Sequence, residues 1–166
     1  VAGNSSGQTI TASSGAYMLG LDIDAGVNNV TLSSAGNFNL YYQYTVTSVG
    51  TLTTTGTTLN LIATGSVNLI PGTATYNNVI INLTGTCGAY NLQGGTFNVG
   101  GNLSISSNGW CGGSQRPINN GTIKPFGNLT LSSNGYSGTA VVRMSGNASG
   151  QTITAVASAT VPSLQF

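Results

Sequence analysis

Apolar and polar residues alternate along almost the whole chain, and this two-residue period predicts β-strands throughout. The clearest run is FNLYYQYTV, in which Phe38, Leu40, Tyr42, Tyr44 and Val46 fall on one face and Asn39, Tyr41, Gln43 and Thr45 on the other. Shorter runs of the same kind are QTITA, NVTLSS, TLNLIA, NVIINLTG, TFNV, NLSISS, NLTLSS and TAVVRM, with Gly, Asn, Ser or Pro between them. No long stretch carries a helical period, so the chain is expected to be all-β and, over residues 1–166, a single domain.

The strands recur in phrases. GNLSISSNGWCG at 101–112 returns as GNLTLSSNGYSG at 127–138, a shift of 26 residues. YNNVIINLTG at 76–85 precedes the first of these by about 24 residues and is echoed by GVNNVTLSSAG at 26–36. The opening VAGNSSGQTITA at 1–12 comes back as MSGNASGQTITA at 144–155, after 143 residues, close to six such units. A repeat of about 24 residues holding two or three short strands matches one coil of a parallel β-helix, and predicts a β-solenoid of about seven coils. The alternative with the same local alternation is an antiparallel β-sandwich that exchanges a donor strand with its neighbour.

These phrases, G-N-L-[ST]-[IL]-S-S-N-G together with YNNVII and SGQTIT, resemble the β-solenoid repeats of large bacterial surface proteins such as the filamentous-haemagglutinin-like adhesins. The resemblance implies a secreted, right-handed parallel β-helix with an adhesive or structural duty, and it carries over no catalytic residue. Those proteins are far longer, so the resemblance casts this chain as one repeat or as a subunit.

Charge sharpens the picture. Only 3% of residues are charged, against about 25% in an average soluble domain. In stacked coils like residues lie on like at every rung, and charge would repel itself there. Asp22, Asp24, Arg116, Lys124 and Arg143 are the whole charged complement, and there is no histidine. Three dispersed cations make no phosphate-binding face, so nucleic acid is not an expected partner. No apolar run reaches the length of a membrane span. The near-neutral surface favours self-association, and copies of the chain itself are the expected partners. The absence of a starting Met reads as a secreted, processed or excised chain, with an extracellular or cell-surface location.

The chemistry-bearing residues are few. Cys87 and Cys111 are 24 residues apart, one coil length, which would stack them within disulfide range. Such a bridge would stabilise by about 3 kcal/mol. Asp22 and Asp24 share a strand face and form a weak calcium or acid–base pair, read here as a solvated edge, so no metal or other cofactor is expected. Without histidine there is no ordinary Ser–His or Cys–His couple, and Lys124 sits before a proline in a turn-like context. The chain is expected not to be an enzyme. The Thr-rich tract at 45–59 offers an ice-binding array, but lacks a regular T-x-T at each rung. Tyr17, Tyr41, Tyr42, Tyr44, Trp110 and Tyr136 could stack on surface glycans, although alternation turns about half of them inward. N-x-[ST] sites at Asn4, Asn29, Asn82, Asn102, Asn120, Asn128 and Asn147 are candidate glycosylation positions.

The returning phrase suggests assembly. Neither end shows a charged or helical cap, and AVASATVPSLQF stays uncharged to its last residue. Gly3, Asn4, Gln8 and Ile10 at one end, and Gly146, Asn147, Gln151, Ile153, Val161, Leu164 and Phe166 at the other, are the expected assembly residues of a cell-surface filament joined end to end. An adhesin or carbohydrate-binding module using exposed aromatics is the alternative.

Overall fold

The computed structural model describes residues 7–24, 26, 28–49, 51–54, 56–83, 87–93, 95–107, 110–111, 114–134, 136–146, 150–161 and 163–166; at positions 48, 110, 111, 114, 115 and 133 only the backbone is described. The described residues contain strands and no helix. In chain order the first two coils hold β1 (Gln8–Ala12), β2 (Tyr17–Asp24), β3 (Asn29–Ser34) and β4 (Asn37–Ser48). The next two hold β5 (Thr51–Thr53), β6 (Thr58–Ile62), β7 (Ser66–Ile70), β8 (Thr75–Tyr76), β9 (Asn78–Leu83) and β10 (Ala89–Leu92). β11 (Thr96–Val99), β12 (Leu103–Ser107), β13 (Trp110–Cys111), β14 (Ser114–Gln115) and β15 (Ile118–Asn119) follow. β16 (Thr122–Pro125), β17 (Leu129–Ser133), β18 (Val141–Arg143), β19 (Ile153–Ala155) and β20 (Ser163–Gln165) complete the order.

These strands stack in parallel as a β-solenoid of about six turns. The sandwich alternative falls on this point, because the one antiparallel pair among the described strands is the β13–β14 hairpin. Each turn runs through three walls. The first contains β1, β3 and β5, and further along the stack β8, β11, β16, β18 and β20. The second contains the start of β4, then β6, β9, β12, β17 and β19. The third contains the end of β4, then β7, β10 and β15. The step from one rung to the next ranges from 19 residues (Thr122 to Val141) to 28 (Tyr90 to Ile118), so loops at the corners absorb the differences in length.

Alternation then builds the core in straight rows. Phe38, Leu59, Val79, Leu103 and Leu129 stack in register down the second wall, and Leu40, Leu61, Ile81, Ile105 and Leu131 form a second row beside them. All ten are buried. On the third wall Leu21, Tyr44, Leu69 and Leu92 do the same, and on the first Phe97, Ile123 and Val142. Burial of such rows is the main favourable term of the fold, at roughly 25 cal/mol per Å² of apolar surface.

The strand read as one continuous face, 38–46, is bent. Tyr41 ends the pairing of β4 with β6, and Tyr44 begins its pairing with β7. Between them Tyr42 has a φ of 66° and turns the chain from the second wall to the third. The alternation puts Tyr42 on one face with Phe38, Leu40, Tyr44 and Val46, but those four are buried and Tyr42 is half exposed, because the corner resets the alternation.

The repeated phrases prove to have two different histories. GNLSIS, GNLTLS and NNVIIN are true rung neighbours on the second wall. NNVTLS belongs to β3 on the first wall, out of phase with them. The opening QTITA is likewise β1 on the first wall, whereas its return falls on β19 of the second. The two copies are therefore not equivalent rungs, because every wall asks for the same alternation and the same words serve on any of them.

The GN pair has a specific mechanical role. The backbone N–H of Asn102 donates to Oδ1 of Asn78 at 2.8 Å, that of Asn128 to Oδ1 of Asn102 at 2.8 Å, and that of Thr152 to Oδ1 of Asn128 at 2.9 Å. Each asparagine thus extends the backbone ladder by one bond beyond the strand. The glycine before it must lie against the rung below: a Cβ on Gly127 would sit 2.6 Å from Oδ1 of Asn102 and 2.7 Å from the backbone of Gly101. Gly127→Ala is therefore expected to lower the unfolding free energy by about 1–3 kcal/mol in urea titrations. Gly65→Ala, where nothing lies within 4 Å of the added carbon, should leave it nearly unchanged. Equal losses at both positions would contradict the ladder argument.

Candidate functional site

Three places in the structure carry chemistry: the outward ladders, an aromatic corner, and a row of buried tyrosines. On the outer face of the second wall Nδ2 of Asn60 donates to Oδ1 of Asn39 at 2.8 Å, and on the third Nδ2 of Asn119 donates to Oδ1 of Asn91 at 3.1 Å and Nε2 of Gln93 to Oδ1 of Asn68 at 3.0 Å. Amide stacks of this kind satisfy one another from rung to rung without net charge. Two of the candidate glycosylation positions, Asn102 and Asn128, already hold the next rung through their side-chain carbonyls. Asn29 and Asn120 are exposed, Asn82 is partly buried within β9, and Asn4 and Asn147 lie outside the described residues.

The aromatic corner forms where β2 meets β4. Met18 pairs with Leu40 and Gly20 with Gln43, so Leu19 stands opposite two residues, Tyr41 and Tyr42, in a β-bulge. The rings of Tyr17 and Tyr41 meet edge to face with centroids 5.2 Å apart. Tyr17 and Leu19 are each 65% exposed and Tyr42 50%. Of the six aromatics singled out in the sequence, these three tyrosines share one surface. Tyr44 and Tyr136 are fully buried, and the side chain of Trp110 lies outside the described residues. The bulge was not legible in the alternation, since an extra residue at a corner leaves no mark on a two-residue period.

The buried tyrosines cross the interior. Oη of Tyr44 donates to Oη of Tyr76 at 3.0 Å, and Oη of Tyr76 donates to the carbonyl of Pro71 at 2.7 Å. Tyr76 also meets Phe97 edge to face at 5.0 Å. Burial pushes the phenols of Tyr44, Tyr76, Tyr90 and Tyr136 well above the ordinary tyrosine range, because the phenolate would lose its hydration; for Tyr44 the neighbouring Tyr76 adds to the effect.

The remaining candidates are placed as follows. Asp22 and Asp24 point outward from β2 and are exposed, and no group of three or more His, Cys, Asp or Glu is gathered among the described residues. Lys124 lies in a strand rather than a turn, paired with Asn98, with its ammonium 5.4 Å from the ring centre of Phe126. Cys87 is exposed, and the side chain of Cys111, the only other cysteine of the chain, lies outside the described residues. Gln151 donates to the carbonyls of Phe126 and Gly127 and accepts from the N–H of Gly146, so it fixes the corner before β19. Gln8, its counterpart in the opening phrase, has a buried Oε1 without a partner. Ile10, Val161 and Leu164 pack against the core from partly buried positions, while Ile153 is 39% and Phe166 91% exposed. Gly3, Asn4 and Asn147 lie outside the described residues. Among the described residues no helix is long and apolar enough to cross a membrane.

Comparison with known proteins finds no matching family model, no matching curated protein and no matching solved structure. The class rests on the fold itself, a parallel β-solenoid.

The tyrosine row generates a pH prediction. A raised folded-state pKa means that the native protein holds the phenol proton more tightly than the unfolded chain does. The stabilisation is whole below about pH 10, where unfolded tyrosines begin to ionise, and is lost as the pH rises above that. Each of the four phenols should remove about 1.4 kcal/mol per pH unit there. Urea unfolding between pH 6 and 11.5 should be flat through neutrality, where the chain has no histidine to titrate, and then fall steeply. Tyr90→Phe deletes a hydroxyl that has no hydrogen-bond partner, so it should leave neutral-pH stability within about 1 kcal/mol and make the alkaline fall shallower. A fall of unchanged slope would refute the assignment.

Proposed function

We propose that this chain is a non-enzymatic structural element of an extracellular fibre or surface stalk, lengthened by adding rung upon rung. The observation that carries the reading is the state of the ladder at β19. The inward row of the second wall runs buried from Phe38 to Leu129 and arrives at Ile153 exposed. A further rung would cover it, whether supplied by the same polypeptide or by another copy. The uncharged outward amide stacks support the same reading, since they can be continued indefinitely without accumulating repulsion.

The oxidising exterior of a cell also suits a Cys87–Cys111 bridge. The register of β9 on β12 ends with Leu83 opposite Ser107, and each cysteine follows four residues later. The bridge would tie two successive turns at a corner. Loss of two hydrogens by mass spectrometry of the intact protein, and a fall in stability of about 3 kcal/mol on reduction, are the expected results; two alkylatable thiols in the native protein would remove it.

Negative-stain electron microscopy and sedimentation velocity test the assembly. Uniform filaments that grow with concentration are expected of the purified chain. Ile153→Lys, which places a charge on the uncovered row, should leave the far-ultraviolet spectrum intact and abolish the filaments. Monomers at every concentration would sink the reading. A second reading, a neutral-glycan binding module, is favoured by one observation, the surface where exposed Tyr17 and Tyr42 adjoin the partly buried Tyr41. Retention on immobilised neutral polysaccharide, lost on Tyr42→Ala, would support it.

A further inference from the structure

Of the five charged side chains of this chain, Arg116 is buried at 7% exposure, and the fold sorts the other four by sign. Asp22 and Asp24 share the outer face of β2 in the first turn, alternating with the buried Leu21 and Ile23. Lys124 and Arg143, scattered in the sequence, come together on the first wall. Thr122 pairs with Val141 and Ile123 with Val142. The N–H of Ser145 donates to the carbonyl of Pro125 at 3.1 Å, so the same register continues and sets Lys124 opposite Arg143 on the next rung. Ile123, Pro125, Val142 and Met144 are buried, and the alternation turns both cations outward.

Two like charges on neighbouring rungs are what the stacking otherwise avoids. Their backbones lie about 4.8 Å apart, and like charges directly opposite destabilise a ladder. Their neighbours among the described residues are neutral. Nζ of Lys124 lies 5.4 Å from the ring centre of Phe126. Nε and Nη2 of Arg143 both donate to Oε1 of Gln165, at 3.0 and 2.8 Å, which holds the guanidinium on the outer face without cancelling its charge.

The two pairs stand near opposite ends of one edge of the rod. Four rungs, along β4, β7, β10 and β15, separate β2 from the turn that leads into β16, which is about 19 Å of stack. Exposed charges that far apart are screened from each other at physiological salt, where the Debye length is about 8 Å. The third wall, which carries the aspartates, adjoins the first, which carries the cations, at the corner between β15 and β16. Every other outward side chain is uncharged.

We propose that the third wall of one copy docks beside the first wall of a second copy, shifted along the axis, with Asp22 and Asp24 against Lys124 and Arg143. The aspartates are about 7 Å apart along β2, within reach of a lysine and an arginine held one rung apart. The acidic patch of one copy engages the basic patch of the next, so the contact is heterologous and repeats instead of closing on itself. It is a lateral contact, separate from rung-on-rung growth at β19, and it orients rods that carry no other exposed charge. Exposed ion pairs are weak and salt-sensitive, so association should be about tenfold tighter at about 0.01 M than at about 0.15 M salt.

Carbodiimide coupling tests the contact on the wild-type chain, in which Lys124 is the only lysine. At low salt, peptide mass spectrometry should find covalent dimers joined from Asp22 or Asp24 to Lys124, a link that the separation within one chain forbids. The link should fade in high salt. In sedimentation velocity, Asp22→Lys with Asp24→Lys, or Lys124→Glu with Arg143→Glu, should abolish the salt-sensitive association. All four substitutions together restore the net charge and the complementarity, and should bring it back. Ile153→Lys, aimed at the axial contact, should leave the cross-link in place. A missing Asp–Lys124 link at low salt, a link indifferent to salt, or a four-fold variant that stays monomeric would overturn the proposal. Filaments that form without the link would overturn the lateral contact and leave the axial reading standing.

Discussion

Parallel stacking at a fixed rung spacing is the constraint from which the rest of this molecule follows. Each strand hydrogen-bonds to the strand one turn away at about 4.8 Å, so any residue is followed, above and below, by its register partners. A position that works once must work several times over. Leucine on leucine, as at Leu40 and Leu61, repeats without penalty, and asparagine on asparagine, as at Asn39 and Asn60, gains a hydrogen bond at each step. Lysine on lysine would gain nothing. The composition is therefore a result of the architecture, not an independent feature of it.

The same constraint explains how much could be read from residues alone. The inward rows were legible, because alternation at Phe38, Leu59 and Leu103 states which side each residue takes. So was the coil length, where GNLSIS and GNLTLS repeat as true neighbours. The phase was not legible. Three walls share one period, and QTITA fits the first wall at β1 as well as the second at β19. Corners were the other blind spot. Tyr42 adopts a left-handed conformation that bulky residues seldom take, and no spacing rule announces it.

Arg116 illustrates a different limit. Counting charges along the chain shows that cations are scarce and scattered, and scattered charges ordinarily sit in water. Two residues before the inward Ile118, however, an arginine belongs inside by the same alternation that was trusted everywhere else. The signal was present in Arg116–Pro117–Ile118 and conflicted with expectation about residue type.

The walls are also unequal along their length. The second wall continues from β4 to β19 without interruption, but the first divides between β5 and β8, which belong to separate sheets. A recess of about 200 Å³ lined by Val49, Leu52 and Ala74 among others opens there, and the N–H of Asn77 reaches only the hydroxyl of Thr54. A rod pulled along its axis carries load through all three walls at most rungs and through two at this one. Tension would concentrate at the turn between β5 and β8, which would yield first and bend the rod toward the intact side, giving an otherwise uniform shaft a built-in joint.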